Sequence, residues 1–341
     1  MSRQLNIAIV GATGAVGEAF ITVLQERKFP VKTLYPLASA RSVGKTIAFN
    51  NKQLEILDLA EFDFSQADIA LFSAGGSISE EYAPKAVAAG CVVIDNSSFF
   101  RYDKDIPLVV PEVNAHCIAE YKNRGIIANP NCSTIQMVVA LKPLHDVAGI
   151  TRINVATYQS VSGTGKEAIS ELIAQMADLL NGRPAKVAVY PQQIAFNAIP
   201  HIDQFEENGY TREEMKMVWE TRKIFEDDSI LVNPTAVRVP VIYGHSEAIH
   251  VEFKQPITAE QARSLLSKAP GVKVVDNRAK SSYPTVLKNA VGQDEVFVGR
   301  IRQDISHPCG LDLWVVADNI RKGAATNAVQ IAEILQREFL V

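Results

Sequence analysis

Short apolar runs alternate with helix-like segments along the first part of the chain. Asn6-Ile7-Ala8-Ile9-Val10 is a continuous apolar run after Asn6 and predicts a buried strand. Gly14 to Arg27 predicts a helix, with Pro30 beyond its end. Val31 to Ala38, Asp68 to Phe72 and Cys91 to Ile94 predict further strands, and Ser79 to Ala89 predicts a second helix. Such strand–helix–strand alternation builds a parallel sheet covered on both faces. The texture changes near residue 150. Residues 151–162 and 248–254 predict longer strands, the second alternating His250, Glu252 and Lys254 with Val251 and Phe253. Gly165 to Leu180 and Thr211 to Phe225 predict helices, and Ala324 to Phe339 predicts a last one with Val329, Ile331, Ile334 and Leu335 apolar. The expected fold is therefore an α/β domain with a mostly parallel sheet, packed without a long linker against an α+β domain.

Composition narrows the class. The chain has 341 residues, 47% hydrophobic, enough for two packed domains. With 34 basic and 38 acidic residues the net charge is −4, which gives no reason to expect nucleic acid or an anionic membrane as partner. No apolar stretch approaches the roughly 20 residues that cross a bilayer. The opening Met1-Ser2-Arg3-Gln4-Leu5-Asn6 has no signal-peptide pattern, so a cytoplasmic location is expected. The four cysteines include no CxxC pair, and no His/Cys cluster has metal-ligand spacing, so no metal is expected. Cys91, in the run Cys91-Val92-Val93-Ile94, is expected in the core.

Candidate chemistry begins at Gly11-Ala12-Thr13-Gly14-Ala15-Val16-Gly17, between the first strand and the first helix. There glycines permit a tight turn and let backbone approach a pyrophosphate at the positive helix end, as in a Rossmann-type dinucleotide-binding domain. The spacing is GxxGxxG, and by itself it is unspecific. An NAD site usually has an acid after the second strand. Here that region reads Leu37-Ala38-Ser39-Ala40-Arg41-Ser42, and Arg41 with Ser39 and Ser42 could cradle a 2′-phosphate, which favours NADP. The plain alternative is a solvated arginine. A second small-residue turn, Ser73-Ala74-Gly75-Gly76, follows the 69–72 strand and is either a crevice wall or an ordinary turn.

Asn129-Pro130-Asn131-Cys132-Ser133-Thr134 joins the strand-like Ile126-Ile127-Ala128 to an apolar helix pattern, Ile135 to Leu144. Cys132 is thus expected at a helix N-terminus, where the dipole stabilises a thiolate. A structural cysteine is the commoner alternative, but polar neighbours on both sides argue against it. A thiolate beside a nicotinamide suggests aldehyde oxidoreduction through a thioester. The cycle needs a general acid/base, and His116, His145, His201, His245, His250 and His307 are all candidates. His245 lies in Gly244-His245-Ser246, expected to be a loop.

Several motifs in order resemble the aspartate-β-semialdehyde dehydrogenase family: the 11–17 turn, Asp95-Asn96-Ser97-Ser98, the segment at 129–134, Gln159-Ser160-Val161-Ser162-Gly163, Arg238-Val239-Pro240-Val241 leading to Gly244-His245-Ser246-Glu247, and Gly323 to Ile331. The resemblance runs nearly end to end. It implies reductive dephosphorylation of L-β-aspartyl phosphate with NADPH, and a homodimer or tetramer. It implies Cys132 as nucleophile, His245 as acid/base and Gln159 as the residue that orients the acyl intermediate. Arg238 would grip the α-carboxylate, Glu213 the α-amino group, and Arg101, Asn131 and Lys216 the phosphate. Glu214 competes with Glu213, which is preferred for its spacing to Lys216. Cofactor residues would be Gly11, Thr13, Gly14, Ala15, Val16, Gly17, Ser39, Arg41, Ser42, Ser73, Gly75, Ser162, Gly163 and Asn319. The implied domains are 1–130 plus 320–341 for NADP, and 131–319 for catalysis and dimerisation, with the C-terminal helix returning to the first domain.

Four alternatives stand beside this resemblance, the broadest a generic Rossmann redox sensor, which would leave Arg238 and Glu213 unexplained. N-acetyl-γ-glutamyl-phosphate reductase has similar chemistry, but its acetylated amine gives no use for an acid such as Glu213. Glyceraldehyde-3-phosphate dehydrogenase fits the neighbours of Cys132 poorly. A catalytically inactive relative would lack the nucleophile or the acid/base, and this chain has Cys132, Gln159, Arg238 and His245.

Overall fold

The first apolar run forms β1 (Leu5–Val10) in a computed structural model that describes residues 3–340. Met1, Ser2 and Val341, the outermost residues of the expected first domain, lie outside the described residues. The chain divides into two units, Met1–Asn131 with Ala324–Val341, and Cys132–Gly323.

In the first unit, α1 (Ala15–Glu26) follows β1 and leads to β2 (Val31–Ala38). A hairpin, β3 (Thr46–Phe49) and β4 (Lys52–Glu55), and the short β5 (Leu57–Asp58) come next. Then follow β6 (Ile69–Phe72), α2 (Gly76–Ala88), β7 (Val92–Asp95), the short α3 (Pro111–Asn114) and β8 (Ile126–Ala128). The sheet order is β5-β2-β1-β6-β7-β8, and every pairing is parallel. β6, β7 and β8 are buried at every position, as a parallel sheet covered on both faces requires. The chain winds outward from β1 to β2 and β5, then returns to β6 on the other side of β1. That reversal opens a switch point at the C-terminal ends of β1 and β6, the usual ligand position in such sheets.

The second unit opens with α4 (Cys132–Ala148), and β9 (Ile150–Gln159), α5 (Lys166–Leu180) and α6 (Arg212–Phe225) follow. Next come β10 (Leu231–Arg238), β11 (His245–Phe253), α7 (Ala259–Leu266), β12 (Val272–Val274), β13 (Val296–Gln303) and β14 (Gly310–Ala317). The mixed sheet runs β10-β9-β11-β14-β13-β12. α4 is buried at every residue from Ser133 to Leu141 because it lies between this sheet and the helices α6 and α7. Along β11, Ile249, Val251 and Phe253 are buried while Ala248, His250 and Glu252 are half-buried, so the opposite sheet face is left partly open.

The last helix, α8 (Thr326–Glu338), belongs to the first unit. Its Ala328, Val329, Ile331, Ala332 and Leu335 join Phe20, Ile21 and Leu24 of α1 in one core. Arg27 fixes the pair with two parallel bonds to Glu333, Nε to Oε1 at 2.8 Å and Nη2 to Oε2 at 2.7 Å.

Candidate active site

In the first unit, the turn after β1 is built for close approach. Gly11 has φ +87°, and its N–H donates to Leu37 O at 2.9 Å. A side chain on Gly17 would place Cβ 2.2 Å from Gly11 O, so no other residue fits without moving the turn. Gly14 caps α1 with no side-chain hydrogen bond, which leaves the first helical N–H groups uncapped by a side chain and pointing to the switch point. Ser73 packs against Gly11, and Gly75 caps α2. The backbone present thus fits a pyrophosphate. Arg41 is exposed in the single turn Ala40–Ser42 that follows β2.

The same unit holds Arg101 and Asn131, both buried. Arg101 Nη2 donates to Asn96 O at 2.9 Å, and Asn96 Oδ1 accepts from Asn129 Nδ2 at 2.7 Å. Asn129 Oδ1 accepts in turn from Asn327 Nδ2 at 2.7 Å. Asn96 therefore ties Arg101 to the segment that runs into Cys132. Asp95, beside it, accepts from Ser79 Oγ and Ser97 Oγ, both at 2.7 Å. Burial pushes its carboxyl up despite those bonds and the Arg101 charge.

In the second unit, the ends of three neighbouring strands meet at one end of the sheet. Gln159 ends β9 and pairs in parallel with Arg238, the end of β10. His245 begins β11, whose Ser246 pairs with Tyr158. The expected loop position of His245 is corrected here: it is a strand residue and fully buried, because the antiparallel register sets it beside the end of β9. Cys132 begins α4, so the positive end of that helix falls on its thiol, as the sequence predicts.

Gln159 Nε2 lies 2.8 Å from Ser133 Oγ, the residue after Cys132, and 3.2 Å from Glu213 Oε1. Glu213 Oε2 accepts from Lys216 Nζ at 3.1 Å, and Lys216 also bonds Asp203 Oδ2 at 2.7 Å. Glu214 points elsewhere. Its carboxylate closes a capping box with Thr211 and accepts from Ala236 N at 2.9 Å. Of the two acids, Glu213 is the one joined to Gln159.

Arg238 Nη1 donates to Ser160 O at 2.7 Å. Gly163 lies against both Arg238 and His245: a methyl there would stand 3.4 Å from Nη1 and 3.5 Å from His245 Nε2. Burial, and after it the Arg238 charge, holds the His245 imidazole down at about 3. Glu247, two residues along the same face of β11, is fully buried, and burial pushes it well above the usual carboxylate range.

Some residues here carried no individual prediction. Gly323 is the tightest: a Cβ on it would sit 2.8 Å from Cys132 Cβ. Gly323→Ala is expected to displace the thiol and lower turnover about 100-fold while the melting temperature stays near wild type. Steady-state kinetics beside a thermal melt would check it, and unchanged turnover would refute it. Asp318 holds the preceding loop, accepting from Ile320 N, Arg321 N and Gly292 N. An Asp-Asn pair after an apolar run was its only local signal.

Comparison with known proteins shows the family. Residues 6–121 match the semialdehyde dehydrogenase NAD binding domain family, and residues 141–322 the semialdehyde dehydrogenase dimerisation domain family. An aspartate-semialdehyde dehydrogenase of Legionella pneumophila is 78% identical over 341 residues, which is all of this chain and 98% of that protein. A crystal structure of aspartate semialdehyde dehydrogenase II complexed with ASA from Vibrio cholerae is 63% identical with a TM-score of 0.98, covering 99% of this chain and 100% of that one. The Candida albicans enzyme with NADP is 25% identical with a TM-score of 0.79, over 99% of this chain and 100% of that one. The chain belongs to the aspartate-semialdehyde dehydrogenase family.

Proposed function

We propose that this protein catalyses the reversible, NADPH-dependent reductive dephosphorylation of L-4-aspartyl phosphate to L-aspartate 4-semialdehyde, on the cytoplasmic route to lysine, threonine, methionine and diaminopimelate. The observation that carries the reading is the buried Gln159, bonded both to Ser133 beside the thiol and to Glu213, with buried Arg238 and His245 both bonded to the next residue, Ser160. It pairs a carboxylate for an ammonium with a guanidinium for a carboxylate, the two groups of an α-amino acid. The Cys132 thiolate attacks the acyl carbon, forming the C–S bond as the C–O bond to phosphate breaks. Arg101, Asn131 and Lys216 receive the phosphate. A bound nicotinamide nucleotide supplies the hydride that reduces the thioester. Gln159 orients the acyl group, His245 handles the proton, and loss of the thiolate frees the aldehyde.

The test is NADPH formation from L-aspartate 4-semialdehyde, with and without inorganic phosphate. Phosphate-dependent formation supports the reading. Turnover of the N-acetylglutamate analogue instead would move the chain to the runner-up enzyme.

NADP is preferred over NAD because no acid follows β2 while Arg41 does. Arg41→Ala is expected to raise KM for NADPH about 10- to 100-fold, since one charge-assisted contact contributes roughly 1.5–3 kcal/mol, and to leave KM for NADH unchanged. Equal effects on both nucleotides would argue for a plain surface arginine.

The homodimer is assigned to the open face of the second sheet. Tyr158, 39% exposed, packs in a tilted arrangement on Trp314 with ring centroids 5.6 Å apart, and Trp314 Nε1 donates to Pro284 O. Trp314→Arg is expected to cost about 2 kcal/mol or more of association and to give monomers in sedimentation velocity. A dimer of unchanged strength would place the interface elsewhere.

A further inference from the structure

His245 Nδ1 lies 3.0 Å from the backbone N–H of Ser160 and 3.1 Å from Ser160 Oγ. A backbone amide only donates, so Nδ1 must accept, and the proton of a neutral ring then resides on Nε2. Rotating the ring would put a carbon against that amide and orphan a buried donor. Nε2 itself finds no protein partner among the described residues.

The segments on either side of the imidazole are tied together by one amide. Asn319, which the resemblance assigns to the cofactor, is buried. Its Oδ1 accepts from Gly244 N at 2.9 Å, from Ser162 Oγ at 3.1 Å and from Ser160 Oγ at 3.2 Å. Its Nδ2 donates to Ser162 Oγ at 3.0 Å. Asn319 thus joins the residue before His245 to the turn after β9 that supplies the amide facing Nδ1.

We propose that Ser160 and Asn319 are positioning residues that lock His245 in the tautomer protonated at Nε2, so that it meets the reacting oxygen as a neutral hydrogen-bond donor. The other tautomer would set Nδ1–H against the Ser160 N–H, and so would the imidazolium. The depressed proton affinity of the ring, caused by burial and Arg238, has the same direction. A neutral donor held in a dry site stabilises a developing oxyanion without first losing a proton. The proposal rests on the reading of His245 as the acid/base residue.

The test is read first without turnover. In protein labelled with 15N-histidine, the His245 signals are assigned by their loss in His245→Asn. The expected wild-type pattern at neutral pH is a protonated Nε2 and an unprotonated Nδ1. Ser160→Ala keeps the backbone N–H and is expected to keep that pattern. Asn319→Ala is expected to mix the tautomers and to lower kcat about 10-fold or more, with KM for NADPH within about 2-fold. A wild-type Nδ1–H tautomer or imidazolium overturns the proposal. So does Asn319→Ala with an unchanged tautomer and a raised KM for NADPH, which would make Asn319 a cofactor contact. An enzyme inactive on the semialdehyde would refute the proposed reaction while leaving the tautomer result standing.

Discussion

Replacing Cys132 by serine is expected to lower phosphate-dependent NADPH formation by on the order of 10⁴–10⁶-fold, the range over which loss of one member of a catalytic triad acts. A serine hydroxyl would sit at the same start of α4, but the dipole there cannot ionise an alcohol at neutral pH as it can a thiol. The loss should fall on kcat. Cofactor affinity should be unchanged, because Cys132 is not among the residues expected to hold the nucleotide. Single-turnover kinetics with a nucleotide-binding titration would check both halves. A variant that kept even a tenth of wild-type turnover would remove Cys132 from the nucleophile's place.

His245→Asn is expected to cost about 10²–10⁴-fold in kcat, the usual contribution of a positioned proton-handling group. Asparagine is chosen because its Oδ1 can occupy the place of Nδ1 and still accept from Ser160 N–H, so that chiefly Nε2 is lost. The same variant carries a stability signature. The ring titrates at 6.5 in the unfolded chain and at about 3 in the fold. Between those values the unfolded chain takes up a proton that the folded one does not. This group therefore costs the fold about 1.4 kcal/mol per pH unit as pH falls from 6.5 toward 3, and nothing above 6.5. Denaturant unfolding at pH 7 and pH 5 should show wild type losing more stability than His245→Asn. An equal loss in both would mean that the imidazole is not held neutral.

The readable parts of this sequence are those governed by local pattern. β2 forms at Val31–Ala38 as its sequence predicts, and α4 begins at Cys132 because polar Asn-Pro-Asn gives way there to an apolar helix pattern. β10 is harder to read, since Pro234 interrupts it; the proline is tolerated because β10 lies at the sheet edge. The 46–55 hairpin and the strands β13 and β14 had no corresponding expectation. At the site, residue types and motif order named the candidates. They could not tell Glu213 from Glu214, because that choice rests on the capping box and on the approach of Ala236 N, 22 residues away. The partner of the His245 ring is Ser160, 85 residues away, and no local window contains both.

The placement of α8 has a consequence for how the polypeptide is made. The core shared by α1 and α8 needs Ala328, Val329, Ile331, Ala332 and Leu335. A ribosome delivers the second unit, 132–323, without interruption and before those residues exist. The second unit can therefore close first, while the nucleotide-binding sheet waits with the apolar side of α1 uncovered. During synthesis, protease resistance should spread from the middle of the chain, and the amino-terminal third, although made first, should be the last to gain it.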